Sequence, residues 1–254
     1  MSLQALLFDV DGTLADTERD GHRPAFNLAF AEAGLDWHWD VALYGELLAV
    51  TGGKERMRHY VDRFRPDYSK PADFTELVAR LHAAKTRHYT ALLARAEIPL
   101  RPGVARLLRA ARSAGLRLAI ATTTTPANVT ALLEHALAPD AVNWFEIIAA
   151  GDVVPAKKPA PDIYHYVLEH MGLTKDDCLV FEDSANGLLA ARGAGLKTVI
   201  TVNDYTHDHD FSGAALVLDH LGEPDRPFTL RQGRGESSGV FDVAMAQRLH
   251  QRAD

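Results

Sequence analysis

Sulphur chemistry and long apolar runs are nearly absent from this sequence. Cys178 is the single cysteine among 254 residues, which excludes an internal disulfide and indicates a small buried apolar side chain. The apolar run near the amino terminus covers only residues 5–8 and leads directly into acidic residues. It therefore predicts neither a secretion signal nor a membrane-spanning segment. We expect a cytoplasmic protein with no membrane association.

An excess of positive charge is absent as well. The formal net charge is -7 and the isoelectric point is near 5.9. These values argue against nucleic acid or an anionic membrane surface as a partner. An anionic substrate would have to be held by a few well-placed cationic side chains. Nothing indicates an obligate protein partner, so we expect a small-molecule substrate.

From about residue 100 onward, helical patterns alternate with short β-rich runs. Such alternation is typical of βα units in a parallel sheet, and 47% hydrophobic residues are enough for a substantial core. The predicted strands cover residues 5–8, 116–121, 145–149, 178–181 and 197–202. The predicted helices between them cover residues 104–114, 127–136, 161–171 and 185–194.

Residues 17 to about 97 have a different pattern, with no good strand. Helical patterns cover residues 22–33, 41–50, 55–64 and 74–96. An insert of this length between the first strand and the rest of the sheet is too long for a loop and favours a second domain. We predict an α/β protein with a core of residues 1–15 and 98–254, an all-helical domain at 16–97, and a loosely attached carboxyl-terminal appendage at 222–254.

The segment Asp9-Val10-Asp11-Gly12-Thr13 directly follows the first predicted strand. Ligands bind at the carboxyl ends of strands in open parallel sheets. Two carboxylates about 4 Å apart repel each other by roughly 4 kcal/mol at an effective dielectric constant of about 20. A shared proton or a hard cation such as Mg²⁺ would offset this repulsion. A plain polar turn is the alternative, and a calcium loop is disfavoured because Asp20 stands where its closing Glu belongs.

Three further segments follow predicted strands or precede predicted helices. The threonine run 122–125 is suited to holding phosphate oxygens, although Thr is also common at strand ends and helix starts. Lys157 and Lys158 precede a helix, where positive charge opposes the helix dipole unless an anion lies nearby; an exposed basic loop is the alternative. Glu182 and Asp183 end another strand, where they could also be no more than favourable charges at a helix start. Together, these groups favour a site that holds a divalent cation and a phosphate.

In order and composition, these segments resemble the haloacid dehalogenase superfamily of phosphotransferases. The matching pattern is D-x-D-G-T, Thr after a strand, Lys in K-P-x-P-D, and E-D, and it extends from residue 5 to about 205. The resemblance implies a Rossmann-like parallel sheet core with an all-helical cap domain inserted after the first strand. It also implies hydrolysis of a phosphate ester through an aspartyl-phosphate.

The same resemblance implies individual roles. Asp9 would be the nucleophile, and Asp11 the general acid and base, with a pKa raised by its neighbours. Lys158 would balance the charge of Asp9 and of the phosphoryl oxygens, which Thr122 and the N–H of Thr123 would bind. Mg²⁺ would be the cofactor, and its implied ligands are the Asp9 side chain, the Asp11 backbone carbonyl, Asp183 and, through a water, Glu182.

The cap would select the substrate. The turn Thr51-Gly52-Gly53-Lys54 at a helix start is suited to a second anion, with an ordinary helix–helix turn as the alternative. One phosphate near Mg²⁺ and another in the cap would imply a sugar bisphosphate. The predicted substrate-binding residues are Asp16, His22, Arg23, Thr51, Gly52, Gly53, Lys54, Arg56, Lys85, Thr123 and Thr124.

Two branches of the superfamily fit such a substrate. Residues 35–40, 51–56, 121–129 and 150–159 look like the CbbY type, a Calvin-cycle phosphatase branch that removes the 1-phosphate of xylulose 1,5-bisphosphate to give xylulose 5-phosphate. The alternative is a sugar phosphate mutase of the β-phosphoglucomutase type. A signalling receiver domain also combines acidic residues with Thr and Lys, but it would need neither the helical insert nor Asp11.

Overall fold

The computed structural model describes residues 2–95, 98–235 and 238–252. In this part of the chain, eight strands form one sheet in the order β3-β2-β1-β4-β5-β6-β7-β8. The pairs from β3 to β6 are parallel, and β7 and β8 are added antiparallel. The strands are β1 Ala5–Phe8, β2 Arg117–Thr122, β3 Ile147–Ala150, β4 Cys178–Glu182, β5 Lys197–Thr201, β6 Leu216–Leu218, β7 Phe228–Gly233 and β8 Ser238–Gly239. The sheet confirms the predicted α/β class.

Helices cover both faces of the sheet. Side chains alternate along a strand, so Leu6 and Phe8 of β1 join one buried cluster while Ala5 and Leu7 join the other. The helices are α1 Arg23–Glu32, α2 Val41–Leu47, α3 Gly53–Phe64, α4 Phe74–Ala94, α5 Val104–Ser113, α6 Pro126–Ala136, α7 Asp162–Met171, α8 Ala185–Gly193 and α9 Val243–Gln251. Helices α5, α6 and α9 contribute to the first cluster, and α7 and α8 to the second.

Between β1 and α5, the described residues contain helices but no strand of the sheet. Their aromatic side chains form a separate buried cluster around Phe26, Trp39 and Tyr44. Helix α4 also carries Tyr89 and Leu93 into the cluster on the sheet, so the insert is packed against the core. The predicted helix end at Ala96 and the predicted boundary at residue 97 lie outside the described residues, and the division into two domains stays a prediction.

The carboxyl-terminal segment is more firmly attached than the sequence indicated. The predicted loose attachment is wrong, because Phe228 and Phe241 are fully buried in the main core. The Phe241 ring packs edge-on against Phe181 of β4, with 5.4 Å between ring centroids. Strand β7 also pairs with β6. The apolar contacts of these two buried aromatic rings hold the segment against the core, although the sequence around them is rich in Gly, Pro and Arg.

The register of the central strands brings three loops to the same edge of the sheet. Phe8 of β1 pairs with Ile120 of β2 and with Phe181 of β4. Because these strands are parallel and in register, the residues that follow them converge at their carboxyl ends. Within the described residues, no helix has both the length and the apolar character needed to span a bilayer.

Candidate active site

Three buried carboxylates meet at the ends of β1 and β4. One oxygen from each of Asp9, Glu182 and Asp183 lies within 4.8 Å of the others. Two glycines make room for this cluster. A Cβ atom at Gly12 would overlap the Asp183 carboxylate, and one at Gly187 would overlap the Glu182 carboxylate. The sequence predicted four carboxylates as a group, and among the described residues the structure brings three of them together, without the Asp11 side chain.

Lys158 lies against this acidic cluster and uses all of its donors. Its ammonium group donates to Asp9 Oδ1 at 2.7 Å, Glu182 Oε1 at 2.6 Å and the Ala121 carbonyl at 2.8 Å. Burial alone would lower the pKa of Lys158, but the two carboxylates raise it above its ordinary value. Lys158 is therefore a fixed positive charge shared between Asp9 and Glu182.

One lysine does not compensate three buried carboxylates. Burial, together with Glu182 and Asp11, raises the pKa of Asp9 to about 8 despite the opposing effect of Lys158. Burial and the negative neighbours Asp9 and Glu182 also hold the pKa of Asp183 well above its ordinary value. Closely spaced carboxylate oxygens with a deficit of positive charge are a suitable donor set for a hard divalent cation. The residues present therefore fit a divalent metal site.

Asp11 is held by side chains from the helical insert. Its Oδ1 accepts from the Thr17 hydroxyl at 2.6 Å and contacts His22 Nε2 at 2.7 Å. On the other side of the ring, Lys85 Nζ lies 2.7 Å from His22 Nδ1. Since an ammonium group can only donate, this contact assigns the acceptor role to Nδ1 and the proton to Nε2, which donates to Asp11.

These contacts overturn the expectation that the neighbours of Asp11 raise its pKa. Burial does act in that direction, but His22, the Thr17 hydroxyl and the charge of Lys85 lower the pKa of Asp11 below its ordinary value. In this arrangement the Asp11 carboxylate is a hydrogen-bond acceptor, and its lowered pKa favours the ionised form. Before it can act as an acid, it must receive a proton.

A cavity of about 260 Å³ lies between the strand ends and the helical insert. From the predicted set, its lining includes Asp9, Asp11, Thr51, Arg56, Thr122, Thr123, Lys158, Glu182 and Asp183. The insert contributes Glu18 as well, which the sequence analysis missed. The core contributes further polar residues that it also missed as lining, namely Asn186, Asn203, Tyr205, Thr206 and His209.

Arg56 supplies positive charge on the insert side of this cavity. It is 7% exposed, and its guanidinium group donates to the Tyr44 hydroxyl at 2.8 Å and to the Val50 carbonyl at 3.3 Å. Glu18 lies 3.7 Å from it and accepts a hydrogen bond from Tyr44. A buried arginine with one carboxylate nearby is suited to an anionic group in the cavity.

The Gly-Gly-Lys turn does not open into the cavity. Lys54 instead donates to Asp152 at 2.9 Å, and Asp152 also pairs with Lys157 at 3.0 Å. The Glu55 carboxylate lies directly beside Gly52, so an acidic side chain of helix α3 itself occupies the positive end of that helix. Gly53 packs near the His82 ring. The anion-binding role of Gly52, Gly53 and Lys54 stays a prediction that this geometry does not favour.

The other predicted substrate-binding residues lie behind or beside the cavity. Asp16 pairs with Arg101 at 3.2 Å, Arg23 donates to the Trp39 carbonyl at 3.3 Å, and the Thr124 hydroxyl accepts from Asn128 at 2.9 Å. His22 and Lys85 reach the cavity only through Asp11. Their roles toward a substrate also stay predictions.

Two residues that contact the acidic cluster were not predicted. The Asn203 side chain donates to Asp183 Oδ2 at 2.7 Å, and the Tyr164 hydroxyl donates to Glu182 Oε1. Asn203 follows the strand predicted at 197–202, so the sequence alone could have predicted its position at the carboxyl ends of the strands. Tyr164 lies inside helix α7, where nothing local distinguishes it from an ordinary core residue.

The fold and the acidic cluster define a known class of enzyme. The chain matches the family model for haloacid dehalogenase-like hydrolases over residues 3–195 and belongs to that family. It is 53% identical to protein CbbY of Cupriavidus necator over 225 residues, which cover 89% of this chain and 88% of that protein. Its family and its CbbY relatives identify the chain as a phosphatase.

Solved structures of CbbY are similar along most of the chain. The crystal structure of CbbY from Rhodobacter sphaeroides in complex with phosphate has a TM-score of 0.78 and 46% sequence identity, covering 87% of this chain and 96% of that one. A mutant of the same protein in complex with xylulose 1,5-bisphosphate also has a TM-score of 0.78, with 45% identity and the same coverage. The CbbY-type resemblance found in the sequence is confirmed.

Proposed function

We propose that this chain is a Mg²⁺-dependent phosphatase that removes the 1-phosphate of xylulose 1,5-bisphosphate and yields xylulose 5-phosphate. The observation that carries the proposal is the cavity itself. Asp9, Lys158 and the acidic cluster lie along one side of it, and the buried cation Arg56 lies on the side formed by the insert. A substrate with two phosphates would match this arrangement of charge.

In the first half-reaction, a carboxylate oxygen of Asp9 attacks phosphorus in line, and the bond from phosphorus to the sugar oxygen breaks. Lys158 holds Asp9 Oδ1, so the other oxygen of Asp9 is free to attack. The Thr122 hydroxyl and the N–H of Thr123 bind the phosphoryl oxygens. When bound between Asp9, Asp183, the Asp11 carbonyl and a water on Glu182, Mg²⁺ would supply further positive charge for those oxygens.

The departing sugar oxygen needs a proton, which Asp11 is placed to deliver from the cavity wall. Because its lowered pKa favours the ionised form, Asp11 must take up that proton first. In the second half-reaction, Asp11 accepts a proton from the water that attacks the aspartyl-phosphate, which releases phosphate and restores Asp9. Asp11 gives that proton to the sugar oxygen in the next turnover, so the proton cycle closes.

The choice of substrate rests on two supports. A CbbY protein with 45% identity to this chain has been solved in complex with xylulose 1,5-bisphosphate. In this chain, Arg56 is a buried cation in the cavity and lies on the insert rather than among the strand ends. We assign the 5-phosphate to Arg56 and the 1-phosphate to Asp9.

The test is a panel of sugar phosphates and bisphosphates assayed with Mg²⁺. We expect the highest kcat/KM for phosphate release with xylulose 1,5-bisphosphate. Turnover no faster than that of glucose 6-phosphate or β-glucose 1-phosphate would contradict the substrate. Formation of an isomerised sugar phosphate without net phosphate release would instead favour the mutase. Treatment with a chelator should abolish turnover, and added Mg²⁺ should restore it.

A further inference from the structure

Tyr164 is fully buried on helix α7 and contacts the acidic cluster without lining the cavity. Its hydroxyl donates to Glu182 Oε1, the same oxygen that accepts from Lys158 at 2.6 Å. Its ring also lies beneath the Lys158 ammonium group, which is 5.3 Å from the ring centroid. Tyr164 therefore contacts both members of a buried ion pair, although it does not line the cavity.

The Glu182 carboxylate is closely confined. Its other oxygen packs against Gly187 at the start of α8, where even a Cβ atom would not fit. Oε1 therefore has two donors, Lys158 and Tyr164, and Lys158 in turn is divided between Glu182, Asp9 and the Ala121 carbonyl. If the phenolic donor were lost, Oε1 would depend on Lys158 alone. When a buried carboxylate loses one hydrogen-bond donor, it attracts the remaining donor more strongly.

We propose that Tyr164 is a positioning residue, whose hydroxyl satisfies Glu182 so that Lys158 stays in contact with the nucleophile Asp9. This inference rests on the proposed aspartyl-phosphate chemistry. Lys158 holds Asp9 Oδ1 at 2.7 Å, which fixes the direction of the attacking oxygen. A shift of Lys158 toward Glu182 would release Asp9 and slow the attack. Substrate binding would be little affected, because Tyr164 does not line the cavity.

The test is Y164F, which removes the hydroxyl and keeps the ring beneath Lys158. A hydrogen bond to a charged group corresponds to about a tenfold change in rate or more. We expect kcat to fall by about tenfold, together with the single-turnover rate of aspartyl-phosphate formation, while KM changes by less than about twofold. Y166F is the matched control: Tyr166 lies on the same helix and stacks on His170, away from the cavity. Its kcat should equal that of the unsubstituted protein.

A crystal structure of Y164F gives a readout that does not depend on activity. We expect a longer distance from Lys158 Nζ to Asp9 Oδ1. An unchanged kcat, an effect on KM alone, or a protein that does not fold would each overturn the inference. If the unsubstituted protein released no phosphate from any sugar phosphate, the proposed function would fail, while the position of Lys158 in Y164F would still test the role of Tyr164.

Discussion

Replacement of Arg56 by glutamine tests whether this residue binds the second phosphate of the proposed substrate. Arg56 is buried, lines the cavity, and has Glu18 as its nearest carboxylate, at 3.7 Å. A phosphate charge about 4 Å from the guanidinium group would be attracted by roughly 4 kcal/mol at an effective dielectric constant of about 20. Desolvation reduces this to the roughly 1.5–3 kcal/mol typical of a hydrogen bond to a charged group.

This energy corresponds to a loss of about 10- to 100-fold in kcat/KM for xylulose 1,5-bisphosphate. A sugar monophosphate that carries only the reacting phosphate makes no ion pair with Arg56, so its kcat/KM should change little. The assay is phosphate release from both substrates by R56Q. The glutamine amide can still donate to Tyr44, which limits damage to the insert.

R117Q is the control, because Arg117 begins strand β2 at the end of the sheet opposite the cavity and pairs with Glu146 at the surface. It should leave the ratio between the two substrates unchanged. If R56Q lowered kcat/KM equally for both substrates, or preserved the preference for the bisphosphate, Arg56 would not bind the second phosphate. The assignment of the 5-phosphate would then be wrong.

Three further substitutions probe the cluster, the insert and the carboxyl-terminal segment. D9N should abolish turnover and the hydroxylamine-sensitive phosphoenzyme while the protein stays folded; residual turnover at more than about a thousandth of the unsubstituted rate would exclude Asp9 as the sole nucleophile. Burial lowers the pKa of Lys85 from 10.5 to about 8, against the opposing effect of Asp11. Between these two pH values the unfolded state therefore binds more protons than the folded state. The contribution of Lys85 to the free energy of unfolding rises with pH in that window. The free energy of unfolding of the unsubstituted protein relative to K85M should therefore increase from pH 8 to 10, and a constant difference would contradict the shift. F241A should lower the free energy of unfolding by about 3–5 kcal/mol in urea titrations, whereas a change below about 0.5 kcal/mol would mean that the ring contributes no more than a surface residue.

The sequence was most informative where function depends on strand ends. Asp9 and Glu182 each follow a short apolar run, and parallel strands carry such residues to one edge whatever the details of packing. The central sheet and the meeting of these two carboxylates could therefore be predicted from local pattern. Asn203 could have been predicted by the same argument, because it follows the strand that ends at Thr201.

Contacts between distant segments could not be predicted in this way. Tyr164 meets Glu182, 18 positions further along the chain, and Lys85 meets His22 across 63 positions. Neither contact leaves a periodic signal in the sequence. The lowered pKa of Asp11 depends mainly on its contacts with His22 and Thr17, which lie outside the motif, so the motif alone predicted a shift in the opposite direction.

The turn at residues 51–56 shows that only some residues of a predicted segment line the cavity, here Thr51 and Arg56. Glycines before a helix predict an anion at its positive end, and a carboxylate does lie there, but it belongs to Glu55 of the same helix. Lys54 is turned outward to Asp152. Arg56, one position beyond Glu55, is buried against Tyr44 and lines the cavity. Since neighbouring residues of a helix point about 100° apart, Lys54 and Arg56 lie on different sides of the helix, and of the two only Arg56 lines the cavity.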